Sequence, residues 1–175
     1  MATVIGSRIG WKYMETKVVW PGRSLDRIYW SGAELVLSAA HNSESLTHDL
    51  VRLGSERHVL VIGMTQKEDI SESIEPLLHS EGRIRTIVTE VHGGRSPSVN
   101  AELLSEYLSV DSEEPALIIT EPIEAIDTAS KKASDEGCIV YVTGSVYLVG
   151  TAIEELVSKE GVDLWDYLEA HPPNL

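Results

Sequence analysis

The run His58-Val59-Leu60-Val61-Ile62-Gly63 decides the fold. A strand with one wet face alternates apolar and polar residues, whereas this run is apolar almost throughout. Such a strand is covered on both faces, the position of a central strand in a parallel sheet flanked by helices. Helix-period segments lie on either side. Before it, a helix starting near Asn42 or Ser43 carries Leu46, Leu50, Val51 and Leu53 on one face and stops at Gly54. After it, the segment 69–80 has helical spacing, with Pro76 expected to kink it or split it in two.

The same rhythm continues outward. Residues 84–89, 116–120 and 138–142 read as further strands. A polar loop over 90–97 precedes a helix capped by Ser98 and bearing Leu103, Leu104, Tyr107 and Leu108. Pro122 suits the first turn of a helix to Asp135 that Gly137 closes, and Gly144-Ser145 opens a last helix towards Val157. Residues 25–30 and 34–38 are two strands joined by Ser31-Gly32, a connection short enough to make them antiparallel neighbours. The expected architecture is α/β: a three-layer, Rossmann-like fold with a mostly parallel sheet of about six strands and one antiparallel edge strand. Residues 1–20 do not join this rhythm and read as an arm or the remnant of a preceding domain, leaving 21–175 as the folded unit. A short helix over 162–168 is expected near the end.

Composition narrows the function classes. Among 175 residues, 28 Asp and Glu stand against 14 Lys and Arg, a formal charge of −14. That field repels nucleic-acid backbones and anionic membrane surfaces, so neither is an expected partner. A single cysteine, Cys138, forms neither an internal bridge nor a thiolate metal cage, and no apolar run approaches the length of a membrane span. The cytoplasm is the expected location. There is no G-x-x-x-x-G-K-[ST] phosphate loop, no H-E-x-x-H and no nucleophile elbow.

Ligands of open α/β sheets sit beyond the carboxyl ends of the strands, which selects four loops. These are Ser38-Ala39-Ala40-His41-Asn42, the segment 64–69, His92-Gly93-Gly94-Arg95 and Thr143-Gly144-Ser145. Each has a functional and an ordinary reading. Ser145 offers a hydroxyl and a helix N-terminal N–H to an anion, or simply caps its helix. His41 and Asn42 suit a ligand carboxylate or nucleotide, or a strand end and a cap. Gly93, Gly94 and Arg95 make either a basic nest for phosphate or a surface loop. Trp20-Pro21-Gly22-Arg23 is a stiff turn that fixes one arginine at the entry to the domain.

Taken in order, four motifs resemble the C-terminal domain of folylpolyglutamate synthase, in the Mur ligase superfamily. They are Trp20-Pro21-Gly22-Arg23, Leu37-Ser38-Ala39-Ala40-His41-Asn42, Ile62-Gly63-Met64 with Asp69-Ile70, and 142–150, which reads VTGSVYLVG. The resemblance spans residues 20 to about 157. It implies a ligase that uses ATP and Mg to activate a carboxylate as an acyl phosphate, which the amine of an incoming glutamate attacks. Folate-like acceptors belong to that implication. By the same resemblance His41 and Ser145 would place glutamate, while Arg23, Asn42 and Ser38 would face the nucleotide. Two of the motifs depart from the family pattern: Ser38 and Ser43 stand where it has Asp and Pro, and Lys67-Glu68 reverses its Asp-Lys order. A hydroxyl does not reproduce the paired acceptors of a carboxylate.

The phosphate-loop domain of such a ligase lies outside these residues, so no catalytic residue is expected within this chain alone. It would act with that domain in cis or in trans and be inactive without it. The alternative is a stand-alone, non-catalytic ligand-binding or regulatory protein derived from the same domain.

Overall fold

The computed structural model describes residues 25–110 and 114–161. The expectations for the arm at 1–20, for Arg23 and for a helix over 162–168 lie outside them. The described chain forms six strands and five helices. The strands are β1 (Asp26–Trp30), β2 (Ala33–Leu37), β3 (His58–Ile62), β4 (Arg83–Val88), β5 (Leu117–Ile118) and β6 (Ile139–Thr143). The helices are α1 (Ser43–Leu53), α2 (Ile70–Leu78), α3 (Ala101–Leu108), α4 (Pro122–Glu136) and α5 (Val146–Glu160).

The strands lie side by side as β1-β2-β6-β3-β4-β5. β1 pairs with β2 antiparallel through the tight turn at Ser31-Gly32, and every other pairing is parallel. β6, last in sequence, is inserted between β2 and β3, with Val140 opposite both Leu35 and Val59. Right-handed crossovers explain the layers. α1, α2 and α3 each carry the chain onward in one direction across the sheet and share one face, whereas α4 carries it back and takes the other.

Period two along the strands feeds two cores. Leu35, Leu37, Val59, Val61, Val140 and Val142 pack with α4 and α5. Val36, Leu60, Ile62, Val88 and Tyr141 pack with α1, α2 and α3. Every residue of β3 and of β6 is buried, as the two-sided covering requires.

The structure corrects four local expectations. Pro76 does not divide α2: it lies two residues before the helix end, so its missing N–H removes one bond from the final turn only. α3 begins at Ala101 with Asn100 as its cap, because Asn100 accepts from the Leu103 N–H at 3.0 Å while the Ser98 hydroxyl accepts from the Val91 N–H at 2.9 Å. Val51 is 76% exposed, since the buried stripe of α1 runs through Leu46, Asp49 and Leu53 and leaves Val51 outside it. β5 is two residues long, shorter than the expected 116–120.

Candidate functional site

All five parallel strands end on one rim, and the loops leaving it interlock. The loop after β2 meets the loop after β6 where the Ala40 carbonyl accepts from the Gly144 N–H at 2.9 Å and from the Thr143 hydroxyl at 3.2 Å. Gly144 adopts φ +101, in the left-handed region, and a Cβ there would lie 2.7 Å from the Gly63 carbonyl oxygen. Only glycine lets the β6 loop approach β3 so closely. Lys67, from the loop after β3, crosses the end of β6 and donates to the His41 carbonyl. Burial pushes its ammonium pKa down, with Asp69 opposing the shift.

The loop over 92–96 seats on the same rim. A Cβ at Gly94 would lie 2.9 Å from the Thr65 methyl and 3.6 Å from the Tyr147 ring. Thr65 also forms a bridge with Ser98. Gly93 is left-handed at φ +76, Arg95 is exposed, and His92 stands 3.8 Å from the Glu121 carboxylate. The Gly93-Gly94-Arg95 segment therefore lies over the first turn of α5.

Beside β2 opens a cleft of about 360 Å³, whose walls include Ser38, Ala40, His41, Asn42, Asp49 and Val146. His41 is exposed on its lip, and its Nδ1 lies 2.9 Å from the Ala39 carbonyl. Asn42 caps α1, accepting from the Ser45 N–H at 2.9 Å, while Ser45 reciprocates towards the Asn42 backbone. Ser145 is buried and caps α5, accepting from the Tyr147 N–H at 3.2 Å; it lies next to the cleft residue Val146. His41, Asn42 and Ser38 thus share one cleft, while Ser145, Gly93, Gly94 and Arg95 are not among its walls.

Beneath Ser38 lies a polar network that the motifs do not announce. Asp49 is only 7% exposed and its Oδ2 accepts from the Ser38 hydroxyl and, at 2.9 Å, from the Tyr141 hydroxyl. Ser38 in turn accepts from the Ala40 N–H at 3.1 Å, and the Tyr141 hydroxyl is 3.3 Å from that of Thr143. Burial, and then the Asp49 charge, hold the Tyr141 phenol well above the ordinary tyrosine range. The signal for Asp49 was present: an acid within the 46-49-53 stripe of an amphipathic helix occupies a buried position. Lys67, noted earlier only for its reversed charge order, emerges as the tie between two loops.

Among the described residues, no group of three or more His, Cys, Asp or Glu side chains is placed to hold a metal ion. No described helix is long and apolar enough to cross a membrane.

The model of the dihydrofolate synthetase C-terminal domain family matches residues 24–155. No curated protein matches this chain. Among solved structures, folylpolyglutamate synthase of Mycobacterium tuberculosis, complexed with ADP and AMPPCP, aligns with a TM-score of 0.66 at 22% identity, over 83% of this chain and 33% of that one. The Thermotoga maritima folylpolyglutamate synthase aligns with a TM-score of 0.66 at 23% identity, over 87% of this chain and 34% of its own. Escherichia coli FolC in complex with ADP aligns at 0.65 and 21% identity, over 83% and 34%. At these identities the likeness establishes the fold, and the chain spans about a third of the length of these enzymes.

Proposed function

Because this chain belongs to the dihydrofolate synthetase C-terminal domain family, we propose that it is the closing half of an ATP-dependent carboxylate–amine ligase. Its rim would cover a phosphate-loop domain held in cis or in trans. The observation that carries this reading is the interlocking of the loops after β2, β3 and β6 through Ala40, Gly144, Lys67 and His41. Rigid loops at one sheet edge suit a surface that must complete another domain's pocket in a single geometry.

In this reading His41, on the cleft lip, and Ser145, at the start of α5, orient the incoming glutamate. Ser38 and Asn42 face the nucleotide together with Arg23. Gly93, Gly94 and Arg95 add backbone N–H groups and one cation for an anionic group of the acceptor or nucleotide. The magnesium contacts are assigned to the phosphate-loop domain, and no step is routed through this chain's carboxylates. Nor does it carry a nucleophile elbow or phosphate loop, which leaves positioning and exclusion of water as its contributions. ATP and glutamate are the proposed small-molecule partners, a folate-like carboxylate the proposed acceptor, and the cytoplasm the proposed location.

The test is reconstitution. The chain is mixed with a separately produced phosphate-loop ligase domain, and ADP release and glutamate incorporation are followed. Turnover that requires both components, and that His41→Ala reduces, supports the reading. A saturated mixture with neither turnover nor complex overturns it.

A further inference from the structure

We propose that the open edge of β1 is a self-association surface, on which a second copy of this chain pairs its own β1, antiparallel and centred on Ile28, so that one sheet runs through both molecules. This inference goes beyond the ligase reading and does not rest on it.

β1 lies at one end of the sheet, with a neighbour only on its β2 side. Its turn, Ser31-Gly32, has positive φ at both residues, +47 and +91. In a two-residue hairpin of this kind the flanking pair, here Trp30 and Ala33, exchanges both main-chain bonds. Alternation then turns the N–H and C=O of Ile28 inward to β2 and those of Arg27 and Tyr29 outward. Among the described residues, no main-chain bond of Arg27 or Tyr29 crosses that outer edge. Unpaired donors and acceptors along an extended strand are a template for another strand. The opposite end of the sheet offers less, because β5 is only two residues long.

A second copy is the occupant because the edge complements itself. Set antiparallel about Ile28, Arg27 of each copy stands opposite Tyr29 of the other, and every outward N–H and C=O of these residues finds a partner. Sliding the register by two residues sets Arg27 against Arg27 or Tyr29 against Tyr29 and leaves outward groups unpaired. The side chains favour the same register. Tyr29 is 70% exposed, an aromatic ring without a cover. The Arg27 guanidinium is held by Glu56 at 2.7 and 3.3 Å and by Glu34 at 3.0 Å, so its charge is balanced along its edges and its flat face is left to stack on a ring. Such cross-strand pairs are what stabilises a sheet. β1 is antiparallel to β2, so the two rims point in opposite directions and each stays free for its own phosphate-loop domain. A five-residue edge falls short of the roughly 800 Å² per partner of a standard interface, which makes the dimer a weak one that forms at high protein concentration.

The test follows the full chain by sedimentation equilibrium over a concentration series, at about 0.15 M ionic strength, where the −14 charge of each copy is screened beyond about 8 Å. Backbone amide spectra of the 15N-labelled chain are recorded over the same series. A reversible equilibrium between monomer and dimer is expected, with the Arg27 and Tyr29 amide protons moving saturably downfield as they gain acceptors. Tyr29→Pro removes one outward N–H and the ring while sparing the bonds to β2, and should abolish the dimer. Tyr29→Lys sets a like charge against Arg27 of the second copy and should weaken the dimer about fivefold or more. If Tyr29→Pro does not fold, Tyr29→Lys decides alone, since its new charge lies across from Glu34 within the same hairpin. A chain that stays monomeric up to about 1 mM, a dimer that leaves the Arg27 and Tyr29 amides unmoved, or a folded variant that dimerises as well as the unaltered chain would each overturn the proposal.

Discussion

The Tyr141 hydroxyl, at the centre of the sheet, donates to the Asp49 carboxylate of α1 across 2.9 Å and 92 residues of sequence. The bond joins the last strand to the first helix beneath the rim, so strand and loop positions are set together. Tyr141→Phe keeps the ring and its edge contact with His58 while leaving the buried carboxylate one donor short. The expected loss of stability is about 1–3 kcal/mol, read from urea unfolding. A change near zero would mean that water replaces the phenol and that the network does not tie β6 to α1.

Gly144 is constrained by both conformation and space. Gly144→Ala puts a methyl 2.7 Å from the Gly63 carbonyl oxygen at a φ of +101. The strained backbone alone costs on the order of 1–3 kcal/mol, and the contact adds to it. Thermal unfolding should show a lower midpoint than Gly150→Ala, a control whose Cβ meets nothing within 4 Å. Equal midpoints for the two variants would refute the close approach.

His58 couples stability to pH. Its Nδ1–H donates to the Glu56 carbonyl at 2.8 Å and its Nε2 faces the Ser80 hydroxyl at 3.3 Å, which holds a neutral ring. Burial, aided by the Arg83 charge and opposed by the Glu56 hydrogen bond, lowers its pKa below the ordinary histidine value. The unfolded chain therefore takes up the proton first on acidification. The stability tied to neutral His58 is complete above about pH 6.5 and is lost as pH falls from there towards the lowered folded value. Urea midpoints measured from about pH 8 to pH 5 should fall through that window, and His58→Gln should flatten the slope. An identical slope in the variant would assign the pH dependence to other groups.

Lys67 joins loops rather than packing a core. Lys67→Met keeps the apolar stem and removes the donor to the His41 carbonyl. Because His41 is exposed, water can replace the ammonium, and the stability cost is expected at about 1 kcal/mol or less. Amide hydrogen exchange at His41 and Asn42 should nevertheless accelerate. Unchanged exchange at both amides would show that the Ala40 bonds alone fix the loop.

The layers and the central placement of β3 and β6 follow closely from the apolar runs at 58–63 and 138–142, because a strand covered on both faces is apolar nearly throughout, whereas the order that puts β6 between β2 and β3 emerges only in the structure. Local signals were less decisive. Ser98 and Asn100 are equally good caps by type, and only the demand of the Val91 N–H, set by tertiary structure, decides between them. Val51 looked like a core residue because α1 carries apolar side chains around more than one face, and the stripe is fixed only when the sheet is present. The rim loops were legible from the sheet rule. The 46-49-53 stripe marks Asp49 as buried, but the roles of Asp49 and Lys67 were not legible, since what each does depends on partners tens of residues away: Tyr141 for one and His41 for the other.

The insertion of β6 between β2 and β3 gives the order of synthesis a consequence. Until residues 139–143 leave the ribosome, the nascent chain can assemble only two half-sheets, β1–β2 and β3–β4–β5, each with an open inner edge. Open edges recruit other chains. A polypeptide released before Ile139 is therefore not a smaller domain but a pair of sticky fragments, a natural client for chaperones and a target for clearance.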